Sequence, residues 1–139
     1  MALLCSACNS STPEPAYLDI PSGNLRLTIV RMATDPFLPR YNLTMTVMGQ
    51  GGCSSSTELF PDTGYAGRRN IYLAARSMVY VVGQFDARII DSRTCEARLS
   101  EFRHLDREVV FLGSFDEDGE RHWRSFTAAE RPERPFEKR

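Results

Sequence analysis

Apolar and polar residues alternate with a period of two over much of this chain. Leu25, Leu27 and Ile29 alternate with Arg26 and Thr28, and Tyr41, Leu43, Met45 and Val47 alternate with Asn42, Thr44 and Thr46. Successive side chains of a strand point to opposite faces, so each run predicts a strand with one face on a core. Pro36 and Pro39 between them cannot continue a ladder, which makes residues 35–39 a connection. Further along, residues 71–75, 79–82, 85–90, 97–99 and 109–112 are short runs rich in β-branched and aromatic side chains. Residues 115–120, followed by Trp123 and Phe126, read as a hairpin turn between two more strands. No segment carries a sustained apolar stripe at helical spacing. The expected fold is all-β, a small β-sandwich or partly open barrel of short antiparallel strands with at most one short helix.

Punctuation divides the chain into three parts. Residues 9–17 hold Ser, Thr, Asn, two Pro and one Glu, so residues 1–17 read as an amino terminus and extended tether. The β-domain is expected over residues 18–127. Residues 128–139, with two Pro and dense charge, are expected to fray. Inside the domain, residues 49–70 read as a long polar loop holding at most one short helix. A chain of 139 residues suits a single core, and Trp123 is expected to belong to it.

Charge excludes one class of function. The formal net charge is -1, and nearly every Arg has an acidic near neighbour, as in Asp86 with Arg88, Asp91 with Arg93 and Glu96 with Arg98. These pairs read as solvated strand faces. Nucleic-acid binding needs a clustered basic face, and this pattern provides none.

Catalytic chemistry has no visible motif either. There is no nucleophile elbow, no zinc-protease signature and no phosphate-binding glycine loop. Ser54, Ser55 and Ser56 read as loop residues, and His104 and His122 as solvated side chains among charges. Asp116, Asp118 and Glu120 beside Gly119 lack the spacing of a calcium loop and read as a polar β-turn. No catalytic residue, metal or cofactor is expected.

The cysteines are more informative. Ser6 and Ala7 directly precede Cys8, with apolar residues upstream and a Ser/Thr/Pro-rich stretch after, and this resembles a bacterial lipobox. The resemblance implies that Cys8 is acylated. Cys5 stands where a lipobox usually has Leu, and no basic residue precedes it. Cys5 and Cys8 are also spaced as a CxxC redox or zinc pair, but the companion ligands or βαβ context of such a pair are missing. Lipidation would place the chain outside the cytoplasm, where Cys53 and Cys95 become a natural disulfide pair; a cytosolic chain would keep them as buried thiols.

Cys8, the short tether and a β-domain opening Leu18-Asp19-Ile20-Pro21-Ser22-Gly23-Asn24-Leu25-Arg26-Leu27 together resemble the pilot lipoproteins, or pilotins, of type III secretion secretins. The resemblance implies a lipid-anchored protein on the periplasmic face of the bacterial outer membrane. Its β-sandwich would bind a secretin subunit through that subunit's carboxy-terminal segment and promote ring assembly. The family performs no reaction, so Cys8 alone carries over as a functional residue. Two other expectations compete: a different periplasmic lipoprotein that binds or inhibits an envelope protein, and a divergent hydrolase using residues 49–70 as a lid.

Overall fold

Alternation builds both layers of a β-sandwich. The computed structural model describes residues 12–100 and 108–136. In sequence order the strands are β1 (Glu14–Ile20), β2 (Leu25–Ala33), β3 (Tyr41–Met48), β4 (Ser54–Glu58), β5 (Arg69–Leu73), β6 (Met78–Val82), β7 (Ala87–Asp91), β8 (Ala97–Leu99), β9 (Val110–Glu117) and β10 (Trp123–Thr127). The first sheet is the antiparallel meander β1-β2-β3-β4, and the second has the order β10-β9-β5-β6-β7-β8. Neither closes into a barrel.

The core lies between the sheets. Leu18, Ile20, Leu25, Leu27, Ile29, Leu43, Met45 and Val47 from the first sheet meet Ile71, Val79, Val81, Ile90, Phe115 and Trp123 from the second. Trp123 also donates its indole N–H to the Ile29 carbonyl at 2.9 Å, so the one polar atom of the ring is satisfied across the interface.

Both lateral seams are fastened. On one side β1 lies against β10, where the Ser125 hydroxyl donates to the Tyr17 carbonyl. On the other, Cys53 and Cys95 form a disulfide with Cα atoms 5.8 Å apart, as expected from the sequence. Beside it the Ser55 hydroxyl donates to the Cys95 carbonyl. Gly49 makes room for the bridge: a Cβ there would stand 2.7 Å from each sulfur. Gly113 has a similar role in the β9–β10 ladder, where a Cβ would collide with the Phe126 carbonyl oxygen.

Arginines close one end of the sandwich. Arg31 occupies an inward register position after Leu27 and Ile29, and it is buried. Its guanidinium pairs with Glu14 at 2.9 Å and with Glu117, donates to the Arg121 carbonyl at 3.0 Å, and stacks 4.1 Å from the Tyr41 ring centroid. Nearby, Arg69 and Asp86 form a buried ion pair at 3.2 Å, with both side chains 2% exposed. Arg69 donates to the carbonyls of Phe60 and Gly67, while Asp86 accepts the Phe60 amide N–H at 3.1 Å. The pair thereby ties the β4–β5 loop to the β6–β7 turn. Burial pulls the Arg69 pKa down, against the opposing pull of Asp86.

Several expectations need correction. The first strand begins at Glu14, so residues 14–17 are paired with β2 rather than part of a tether. Pro15 lies in β1 at the edge of its sheet, the position in a sheet where proline is tolerated. The polar loop over 49–70 contains strand β4, paired with β3 from Thr44–Glu58 to Met48–Ser54, and one 3₁₀ turn at Gln50–Gly52. Further 3₁₀ turns occur at Pro21–Gly23 and Ala75–Ser77, and no described helix is long enough to be a separate element. Asp86 is not on a solvated face with Arg88 but inside, with Arg69. Asp91 with Arg93 and Glu96 with Arg98 do form exposed ion contacts, at 3.3 and 3.9 Å. Finally, residues 131–136 are packed on the second sheet rather than frayed.

Candidate functional site

Most of the residues singled out in the sequence are placed by the fold. Cys8, Cys5 and His104 lie outside the described residues. Cys53 and Cys95 sit together at a seam of the sandwich. Ser54, Ser55 and Ser56 belong to β4, and the Ser55 hydroxyl is committed to the Cys95 carbonyl. In the β9–β10 turn Asp118 accepts the N–H groups of Glu120 and His122 at 2.8 and 2.9 Å and pairs with Arg124 at 2.6 Å. Asp116 instead pairs with Arg131 at 3.1 Å. These carboxylates therefore hold the turn and the chain end. Among the described residues no three His, Cys, Asp or Glu converge as metal ligands.

The outer face of the second sheet offers a more developed arrangement. Alternation along β5, β6 and β9 turns Asn70, Tyr72, Tyr80, Val82 and Phe111 outward while Ile71, Val79, Val81 and Phe115 face the core. Tyr72, Val82 and Ala87 are nonetheless buried and form a second apolar cluster with Tyr80, Val109, Phe111 and Phe136. Residues 131–136 contribute to this cover as an extended strap that crosses the strands. Arg131 stacks 3.7 Å from the Phe126 centroid, and Phe136 lies beneath the Arg68 guanidinium at 4.1 Å. Between these anchors the Asn70 amide donates to the Arg134 carbonyl at 3.0 Å, and the Tyr72 hydroxyl donates to the Glu133 carboxylate at 2.6 Å. Arg68 also donates to the Arg134 carbonyl.

The groove thus combines an apolar cluster against one ring, two donors for one backbone carbonyl and one hydroxyl donor for a carboxylate. Arrangements of this kind hold extended peptide, because the backbone contact is independent of sequence and the pocket selects the side chain. Pro132 and Pro135 favour the extended form and reduce the entropy lost on docking. Pro132, Glu133, Arg134 and Pro135 remain exposed, so the strap rests on the face without being enclosed by it.

Tyr72 reports the state of this groove. Burial of the phenol, and then its hydrogen bond to Glu133, push its pKa up to about 12. A tyrosine raised in the folded state is favoured neutral there. Its contribution to stability is complete below the unfolded value of about 10 and is lost as pH rises through 12. One of the five tyrosines is therefore expected to ionise near pH 12 in an ultraviolet titration. The step should vanish in Tyr72→Phe and move to lower pH in Glu133→Ala; a Glu133→Ala curve that overlays the wild type would show that the strap does not dock on Tyr72.

Sequence reasoning missed the groove and had one signal that could have found it. The dense charge of residues 128–139 masks a Pro-Phe pair at Pro135 and Phe136, and a ring in an otherwise polar tail signals docking, because covering it removes a large apolar area from water. No protein-family model matches the chain, and neither a curated protein nor a solved structure matches it.

Proposed function

We propose that the protein is a lipid-anchored, non-catalytic binding module that captures an extended segment of a protein partner, in the manner of a secretin pilot. The observation that carries this reading is the groove on the outer face of the second sheet, which holds a Pro-flanked extended segment through one ring, one backbone carbonyl and one carboxylate. The partner segment, by this reading the carboxy terminus of a secretin subunit, takes the place of residues 131–136. Cys8 supplies membrane attachment through acyl chains, at about 0.8 kcal/mol per buried CH₂. The partner is thereby delivered to the periplasmic face of the outer membrane.

Location and recognition then reside in different parts of the chain and can be separated. In the full chain, Cys8→Ser is expected to bind a secretin carboxy-terminal peptide in calorimetry within about two-fold of wild type. In fractionated cells the same variant should leave the partner outside the outer-membrane fraction. Phe136→Ala removes the ring of the competing strap and should tighten peptide binding by about ten-fold, since the fraction of chains with an open groove rises. Absence of micromolar binding rejects the pilot reading. Binding of unchanged strength in Phe136→Ala would place the peptide elsewhere on the sandwich.

A further inference from the structure

Strand register gathers five segments at one end of the sandwich. Glu14 pairs with Arg31, Ala33 with Tyr41 and Tyr41 with Asp62, so residues 12–13, the β2–β3 loop and the β4–β5 loop emerge together. In the other sheet Asn70 pairs with Val82 and Trp123 with Glu117, which brings the β6–β7 turn and the β9–β10 turn to one end. Arg31 joins that end to the first by its bonds to Glu117 and the Arg121 carbonyl.

Exposed apolar side chains are concentrated there. Phe37 is 92% exposed, Tyr65 78%, Phe85 54%, Phe60 53% and Leu38 49%, and all five sit in loops of this end. At the opposite end the exposed large apolar side chains are aliphatic and fewer, Met48 at 55% and Val110 at 60%, and no aromatic ring is exposed there among the described residues. Scattered surface apolar residues need no explanation, but a one-ended cluster of aromatic groups marks a contact surface. Three of them are held in place. The Asp35 carboxylate accepts the N–H groups of Phe37 and Leu38, each at 2.8 Å, between Pro36 and Pro39. Asp62 accepts those of Gly64 and Ala66, each at 2.9 Å, and so fixes the loop that displays Tyr65.

Resting on the anchored reading above, we infer that this apolar end is seated on the lipid bilayer, with Phe37 and Leu38 inserted at the level of the headgroups. The chain enters β1 at this same end, and Glu14 comes only six positions after Cys8. A fully extended chain spans at most about 3.5 Å per residue, so acyl chains on Cys8 hold this end within roughly 20 Å of the membrane. Charge decides the kind of surface. Exposed Arg40 and Arg121 are offset by Glu120, exposed Arg124 is paired with Asp118, and Asp35 is turned onto loop N–H groups. Without a cationic cluster the end matches a zwitterionic surface, and its aromatic rings suit the interfacial region between water and hydrocarbon. The groove, lying on the outer face of the second sheet, then stands at the side of the anchored module, where a periplasmic partner reaches it by displacing residues 131–136.

The test uses the full chain with Cys5→Ser, so that Cys8 is the free thiol, coupled to a maleimide phospholipid in phosphatidylcholine vesicles. This attachment is independent of acylation in the cell, which palmitate labelling of wild type and Cys8→Ser examines separately. Emission of Phe37→Trp should shift to the blue and be quenched by about half when the lipids are brominated in the upper acyl chain. Ser22→Trp, at the opposite end, should keep its solvent-exposed spectrum, and the buried Trp123 is common to both. The double variant Phe37→Ser/Leu38→Ser should abolish the protection of residues 34–40 from protease that vesicles confer on the tethered wild type. An unquenched Phe37→Trp probe on vesicles that carry the tethered chain overturns the inference and leaves anchoring intact. A probe that shifts only when the secretin peptide is added also overturns it, assigning the end to protein contact instead.

Discussion

Cys53→Ala/Cys95→Ala is expected to unfold roughly 15 °C below wild type, the shift that about 4 kcal/mol produces in a domain of this size. The bridge joins residues separated by 42 positions and spans the seam between β4 and the loop before β8. Cross-linking a loop of that length removes about 4 kcal/mol of unfolded-state entropy on the chain-entropy account. The same loss should follow reduction of the wild type with dithiothreitol, and a melting scan compares the two. If oxidised wild type and the double variant melt within about 3 °C of each other, the bridge does not secure the seam. A downward shift also has a functional reading, because a domain that needs its disulfide to stay folded is confined to oxidising compartments.

Asp86→Ala should destabilise the fold by about 3–5 kcal/mol, the range seen when one partner of a buried ion pair is removed. The loss has two sources. Arg69 keeps its charge in a site where it is 2% exposed, and the Phe60 N–H loses its acceptor. The companion double variant Arg69→Met/Asp86→Leu removes both charges and should recover at least half of that loss, since apolar replacements of buried pairs are often neutral or better. Urea unfolding of the three proteins gives the comparison. A single variant within about 1 kcal/mol of wild type would mean that water reaches Arg69 when Asp86 is gone.

Legibility in the sequence followed the physics of each element. Strands β2 and β3 were readable because one face is apolar and the other is not, as with Leu25, Leu27 and Ile29 against Arg26 and Thr28. β4 was not, since Ser54-Ser55-Ser56-Thr57 is polar on both faces and is held by its ladder to β3, the Ser55 hydroxyl and the neighbouring disulfide. Asp86 reads as the partner of Arg88 because sequence proximity suggests a pair, whereas its actual partner Arg69 arrives through the pairing of β5 with β6 and the turn that follows. The groove and the apolar end were hidden for a common reason. Phe37 and Phe115 are the same letter, and only the fold separates the ring that is 92% exposed from the one that is fully enclosed.

The strand order has a kinetic consequence. Every ladder but one joins strands that follow each other in the chain, from β1-β2-β3-β4 through β5-β6-β7-β8 to the β9–β10 hairpin. Such hairpins close within microseconds because little chain must be gathered. The exception is β5 with β9, whose pairing of Leu73 with Val110 encloses three other strands and carries a register shift between Ile71 and Tyr72. Closing that loop requires its entropy to be lost before the contacts form. Among the strand-pairing steps the one that unites the second sheet is therefore the slowest, and a chain caught before it would carry two finished meanders, a detached hairpin bearing Phe115 and Trp123, and an open core between them.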